Sequence, residues 1–153
     1  MDYGFVIRQA KETDAEAIAR LSAMLGYSAD PEVIRDRLPA VLRSESDLVV
    51  VAAEPGGRVV GWLQAHAAHR VASGFRVEIV GIAVEPAVRR RGVGRSLVAE
   101  AERWARANSS GAMVVRSNVR RVESHRFYPA LGYTQSKTQA VYEKDLPGPL
   151  QVR

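Results

Sequence analysis

Apolar residues recur along this chain with two periods, close to two and close to four, and the places where the period changes mark its elements. Phe5-Val6-Ile7-Arg8 reads as a first strand. Thr13-Asp14-Ala15-Glu16 has the form of a capping box, with threonine at the cap and glutamate three residues later. Ile18, Leu21 and Leu25 follow at helical spacing, which predicts a helix from about Asp14 to Leu25. Asp30-Pro31 predicts a second helix start, carrying Ile34, Leu38 and Leu42, with an end that Pro39 obscures. Two β-branched runs, Asp47 to Ala53 and Val59 to Ala65, flank the turn Pro55-Gly56-Gly57 and predict an antiparallel hairpin. Val71 to Gly74 reads as a loop, and Phe75 to Val84 as the longest strand, stopped by Glu85-Pro86. Val93, Leu97, Ala101, Trp104 and Asn108 share one helical face. Ala112 to Val115 predicts a strand, Val119 to Tyr128 a shorter helix with Leu131-Gly132-Tyr133 as its exit turn, and Thr138 to Lys144 a last strand. The order β-α-α-β-β-β-α-β-α-β predicts an α/β or α+β class with a mixed sheet.

Composition narrows the picture. The length of 153 residues fits one domain, here residues 1–146, with Pro147-Gly148-Pro149 opening a loose tail over residues 147–153. Hydrophobic residues at 46% and charged residues at 25% are the balance of an ordinary globular core. No apolar run approaches the roughly 18 residues of a bilayer span. Met1-Asp2-Tyr3-Gly4-Phe5 lacks the basic start of a signal peptide, so a cytoplasmic protein without a membrane partner is expected. The chain has no cysteine, which excludes disulfides, thiolate metal sites and a cysteine nucleophile.

Charge adds a direction. Residues 1–60 carry 7 basic and 10 acidic side chains, net −3, whereas residues 86–126 carry 10 arginines against Glu100, Glu102 and Glu123, net +7. Such asymmetry focuses an anion site. Nucleic acid is one such anion, but the basic segment lacks the interleaved aromatics of a nucleic-acid tract, and none is expected as a partner.

Within that segment, Arg89-Arg90-Arg91-Gly92-Val93-Gly94-Arg95 sits between the longest strand and the strongest helix. A helix N-terminus offers unpaired N–H groups and about half a positive charge. Glycines let backbone approach a ligand, so the loop suits a phosphate or pyrophosphate. A tight strand-to-helix connection is the alternative. The dinucleotide pattern needs glycine where Leu97 stands, and no P-loop Gly-Lys-Ser/Thr follows.

The stretch Val84 to Leu97 resembles the acetyl-CoA signature R/Q-x-x-G-x-G/A of the GNAT superfamily of N-acetyltransferases, matched at Arg89, Gly92 and Gly94. The strand Glu78 to Val84 and the block Asn118…Phe127-Tyr128-Pro129-Ala130-Leu131-Gly132-Tyr133 resemble the same family in the same order. The resemblance implies a mixed, mostly antiparallel sheet of six or seven strands flanked by four helices. It also implies a splay between parallel neighbours near Val84 and Val115 that holds CoA. Acetyl-CoA would be the co-substrate, with no metal. Amides of Arg90, Arg91, Gly92, Val93, Gly94 and Arg95, beside Arg89, would bind its pyrophosphate. Ile82, Ala83 and Val84 would pair with the pantetheine arm, and one amide there would hold the acetyl carbonyl, an effect worth about 3 kcal/mol in other enzymes. Asn118 and Tyr128 belong to the same cofactor site by the motif. Arg90 departs from the pattern, standing where the family often has a further glycine.

Acetyl transfer requires a neutral amine, hence a base, and a leaving thiolate that an acid can protonate. Tyr128 matches the family tyrosine beside the CoA sulfur, and an ordinary tyrosine is protonated at neutral pH. The alternative is a packing aromatic beside Phe127. Glu78 is the base candidate, a carboxylate inside an apolar strand and in phase with Val80, Ile82 and Val84 by simple alternation. The alternatives are a solvent-facing side chain or an ion pair with Arg76 or Arg116, with water as base. His66 and His69 end the third strand within reach of a substrate cleft, and His125 reads as packing; no pair has metal-ligand context. The acceptor is expected to be a small-molecule or peptide primary amine. Asp30, Glu32, Asp36, Glu45 and Asp47 hint at a cationic one. A non-catalytic CoA sensor and a basic nucleic-acid module are the rival classes, and a homodimer is left open.

Overall fold

The computed structural model describes residues 4–28 and 30–148. They form two compact units, one reaching to Arg116 and one starting at Ser117.

The first unit is a five-stranded sheet in sequence order. Its strands are β1 (Val6–Gln9), β2 (Asp47–Ala53), β3 (Val59–Arg70), β4 (Gly74–Val84) and β5 (Met113–Val115). All neighbours are antiparallel except β4 and β5. Three helices accompany the sheet: α1 (Ala15–Ala23), α2 (Pro31–Arg43) and α3 (Val93–Ala107). In β2 every residue from Leu48 to Ala53 is buried, which explains its unbroken apolar run: a central strand covered on both faces has no polar side to show.

The two faces have different tenants. Val49, Val51 and Ala83 pack with Ile18 and Leu21 of α1, Leu38 of α2, and Trp62. On the opposite face α3 comes so close that a Cβ on Gly61 would lie 2.9 Å from Val93 and 3.1 Å from Leu97. Val93, Leu97, Val98, Ala101 and Ala105 form its buried stripe.

Local chemistry explains the helix limits, with one correction. Asp30 caps α2 as expected, accepting the Glu32 N–H at 2.9 Å, and the helix runs through Pro39 to Arg43. Thr13 does not cap α1. It lies in a 3-10 turn, Glu12–Asp14, where the Asp14 carboxylate accepts the Lys11 N–H at 2.7 Å and both Nη groups of Arg8 at 2.8 and 2.9 Å. A carboxylate that satisfies a backbone amide and a guanidinium together outcompetes a hydroxyl for that position. Helix α1 closes with Gly26 at φ 86, its N–H on Ala23 and the Tyr27 N–H on Ser22, which ties down two terminal carbonyls.

The second unit carries α4 (Val122–Ala130), shorter at its start than the expected Val119. It ends in the same way, with Gly132 at φ 92, the Gly132 N–H on Pro129 and the Tyr133 N–H on Tyr128. The Leu-Gly-Tyr exit is therefore a helix stop built on one left-handed glycine. The expected strand Thr138 to Lys144 is not formed. None of the described ladders includes it, and Val141 and Tyr142 are exposed, so alternation alone did not supply a pairing partner. The described sheet thus has five strands rather than six or seven.

Candidate active site

The site begins where β4 and β5 part. Their ladder covers only Val77 to Ile79 of β4, opposite Met113 to Val115, whereas β4 itself continues to Val84. Beyond Ile79 the strand has its β3 neighbour on one side and no ladder on the other among the described residues. That stretch holds Ile82, Ala83 and Val84, which expose backbone N–H and C=O groups as any strand edge does.

At Val80 the β3–β4 register slips by one: Gln64 faces Gly81, but Ala65 faces Ile79. Val80 is the extra residue and is exposed. The slip corrects the expected phase of Glu78. Across the bulge Glu78 shares a face with Gly81 and Ala83, the α1 and α2 side, while Ile82 and Val84 point to the α3 side. Gly81 is required there, because a Cβ would meet the Trp62 ring at 2.5 Å.

Glu85 fixes the end of β4. Its N–H bonds Val60 at 2.8 Å, and its carboxylate accepts Arg58 at 2.6 Å and Arg20 at 3.1 Å. The Arg58 hydrogen bond and the two positive charges hold the Glu85 carboxyl below the usual range against the cost of burial. A short 3-10 turn, Pro86–Val88, then leads into the glycine loop. There Arg90 has φ 70 and Gly92 φ 82, both left-handed, and Gly92 is the cap residue of α3. The first helical bond is from Ser96 N–H to Gly92, which leaves the amides of Val93, Gly94 and Arg95 ahead of the ladder. Arg91 is turned to Glu54 at 3.4 Å, whereas Arg90 and Arg95 are exposed without an ion-pair partner among the described residues. Forward-facing amides, a helix N-terminus and two uncommitted guanidinium groups make a cradle for a diphosphate. An adjoining strand edge suits an amide-bearing arm. Together they fit CoA.

Glu78 is largely buried and engaged by two guanidinium groups, Arg70 at 3.5 Å and Arg116 in a closer ion pair. Arg116 is one of the two partners expected from the sequence; Arg70 was not foreseen. Opposite Glu78 across the ladder is His66, and opposite His66 is Asp47. The Asp47 carboxylate accepts Ser44 Oγ at 2.7 Å and Gln64 Nε2 at 3.0 Å, and lies 3.0 Å from His66 Nδ1. Burial pushes the Asp47 carboxyl up, but these three hydrogen bonds together outweigh it and hold the group below its ordinary value. His69 is on the other face, its ring 4.7 Å from that of Phe75.

In the second unit, Asn118 Oδ1 accepts the Arg120 N–H at 2.9 Å and the Asn118 carbonyl accepts the Arg121 N–H, a turn that leads into α4. His125 Nε2 lies 2.7 Å from the Val119 carbonyl, a local packing contact. Tyr128 makes edge-to-face contacts with Phe127 at 5.0 Å and Tyr133 at 5.8 Å. Among the described residues, no helix is long and apolar enough to cross a membrane.

Four likenesses bear on this arrangement. The chain is 28% identical over 144 residues to the aminoglycoside N(6')-acetyltransferase type 1 of Stenotrophomonas maltophilia, covering 92% of this chain and 93% of that one. It is 30% identical over 132 residues to the aminoalkylphosphonate N-acetyltransferase of Salmonella typhimurium strain LT2, covering 85% of each. Its fold matches the aminoglycoside N-acetyltransferase AAC(6')-Iy in complex with CoA with a TM-score of 0.75 at 25% identity, covering 92% of this chain and all of that one. The pattern of the Acetyltransferase (GNAT) family matches residues 10–133, from the residue after β1 to the exit turn of α4. The chain belongs to the GNAT acetyltransferase family and is an acetyl-CoA-dependent N-acetyltransferase.

Proposed function

We propose that the chain acetylates a small-molecule primary amine by direct attack of the amine on acetyl-CoA. The observation that carries the cofactor half is the course of β4, which outruns its ladder with β5 and leads through Glu85 into the left-handed loop of α3. Bound acetyl-CoA supplies the acetyl group as a thioester. The free edge at Ile82, Ala83 and Val84 takes the pantetheine arm. The amides from Arg90 to Arg95, with the Arg89, Arg90 and Arg95 side chains, take the pyrophosphate. From the second unit the resemblance adds Asn118 to the cofactor contacts and gives Tyr128 the proton for the departing thiolate. The base lies on the face that carries Glu78, where Arg70 and Arg116 hold its carboxylate. The compartment that fits this chemistry is the cytoplasm, where acetyl-CoA is at hand.

The relatives act on an aminoglycoside and an aminoalkylphosphonate, as their names say, and these share only a primary amine on a small polar body. That shared feature supports a small-molecule acceptor over a peptide. The test is thiol release across aminoglycosides, aminoalkylphosphonates, polyamines, amino acids and a lysine peptide. The chain has no cysteine, so it adds no thiol background. Small amines should turn over and the peptide should not; release with the peptide alone would overturn the acceptor class. Acetyl-CoA at a hundred times its dissociation constant should add about 2.7 kcal/mol of stability, seen as a higher Tm, and no shift at millimolar acetyl-CoA would remove the cofactor reading. Tyr128→Phe should lower kcat about 10²-fold with CoA affinity nearly unchanged. Wild-type kcat in that variant would leave Tyr128 as a packing aromatic.

A further inference from the structure

Three strands place an imidazole between two carboxylates on the α1 and α2 face of the sheet. Asp47 on β2, His66 on β3 and Glu78 on β4 stand opposite one another in register. Neighbouring side chains at directly opposed positions lie about 5 Å apart. The two carboxylates differ in what they hold. Glu78 is committed to Arg70 and Arg116. Asp47 is committed to His66 Nδ1, Gln64 and Ser44.

We infer that His66 is the general base for the acceptor amine and that Asp47 is its positioning residue. An ionised carboxylate only accepts hydrogen bonds, so the ring nitrogen facing it must carry the proton. Nδ1–H therefore points at Asp47, and in the neutral ring the lone pair is on Nε2. The His66 side chain is 43% exposed against 12% for Asp47, and Nε2 has no partner among the described residues. This is a buried acid holding a part-exposed imidazole by its Nδ1. It stands level with Glu78, two residues before β4 loses its β5 neighbour and becomes a free edge. The Ser44–Ser46 loop borders it, since the Ala67 N–H bonds the Ser46 carbonyl at 2.8 Å. The other charged groups on this face are Arg70 on β3, Arg76 and Glu78 on β4, and Arg116 after β5.

The proton balance is closed. The acceptor arrives as an ammonium and gives one proton to His66 Nε2, directly or through a water. The freed nitrogen lone pair attacks the thioester carbon; the C–N bond forms and the C–S bond breaks. The nitrogen sheds its second proton, the thiolate takes up one, and one proton leaves to solvent. No oxidant or metal is needed.

This inference rests on amine acetylation and is tested by the pH profile of kcat/KM for an amine that turns over. Wild type should show a limb that falls as pH drops through protonation of the ring. His66→Gln should lower kcat/KM by about 10²-fold and abolish that limb while keeping the acetyl-CoA thermal shift, since the cofactor loop is elsewhere. Asp47→Asn should lower it by about tenfold or more and displace the limb, because an amide no longer fixes the tautomer. Glu78→Gln should retain the limb even where the rate falls. The opposite pattern, with the limb lost in Glu78→Gln and kept in His66→Gln, overturns the proposal and returns the base role to Glu78. Nitrogen-15 shifts of the His66 ring in the wild type give a second test independent of how the variants fold. The Nδ1–H tautomer is expected, and an Nε2–H tautomer would overturn the proposal. A wild type that releases no thiol with any amine would sink the acceptor reading and this one together, whereas an unchanged limb in His66→Gln sinks this one alone.

Discussion

The glycine loop and the face around Glu78 are the two halves of the proposed site, and they are built on different principles. The loop offers backbone amides of consecutive residues, Arg90 to Arg95, at a helix start. The face brings together side chains from β2, β3, β4 and the residue after β5, which are far apart in the chain. In the first, sequence neighbours are also spatial neighbours, so a short motif describes the site. In the second, the sheet register decides who meets whom. A site made of backbone tolerates many side chains but few dihedral angles. A site made of side chains reverses those tolerances.

That contrast can be broken or sharpened by substitution. The largest effect is expected at Gly92, where φ is 82 and a Cβ would find no atom within 4 Å. Gly92→Val should therefore fail through dihedral strain and a blocked anion approach rather than a clash with the protein, with CoA affinity falling about 10²-fold or more by calorimetry. Retained affinity would mean that the amides are not the cradle. Next comes Gly81→Ala, which forces a methyl into the Trp62 ring and should cost about 1–3 kcal/mol in denaturant unfolding. A neutral result would show that the indole can move aside.

Acid should expose the side-chain half. Asp14, Asp47 and Glu85 all have carboxyls held below their ordinary values in the fold. The unfolded chain therefore binds more protons than the folded one once pH nears the usual carboxylate range of about 4. Stability from these groups is complete above that range and is lost as pH falls through their folded values. Tm should be level from about pH 7 to about 5 and then drop, and Asp14→Asn should flatten the drop. The smallest effect is expected at Arg90, a non-glycine residue at φ 70. Arg90→Gly should relieve about 1 kcal/mol of strain while removing one cation from the cradle, so Tm rises slightly and CoA affinity falls slightly.

Much of the fold was legible. The succession of elements as far as α4, the hairpin, the Asp30-Pro31 start of α2 and the helix after the glycine loop all follow from periodicity and caps, because each depends on residues within one or two turns. The Leu-Gly-Tyr exit was legible for the same reason. What escaped was what depends on pairing. The bulge at Val80 is announced by no turn residue of its own, and only the partners Gln64 and Ala65 reveal it. Missing it reversed the phase between Glu78 and Ile82. The Asp14–Arg8 pair displaced the expected Thr13 cap because an arginine on a neighbouring strand does not enter a helix signal. Glu85 read merely as the residue before a proline, yet Arg20 and Arg58 converge on it from 65 and 27 residues away in sequence. Asp47 and His66 looked unrelated at a separation of 19 residues, and the β2–β3 register makes them partners.

The extra residue at Val80 also has a bearing on descent. It splits β4 into two lengths with opposite parity, Gly74–Ile79 and Gly81–Val84, joined by a residue that neither length needs for pairing. In the proposed site, substitutions in the first length change what the acceptor meets. Those in the second change what lies beneath the cofactor's arm. On that proposal a lineage could trade one amine for another while inheriting its acyl-donor half unaltered, because the change of parity at Val80 puts the two sets of side chains in different frames.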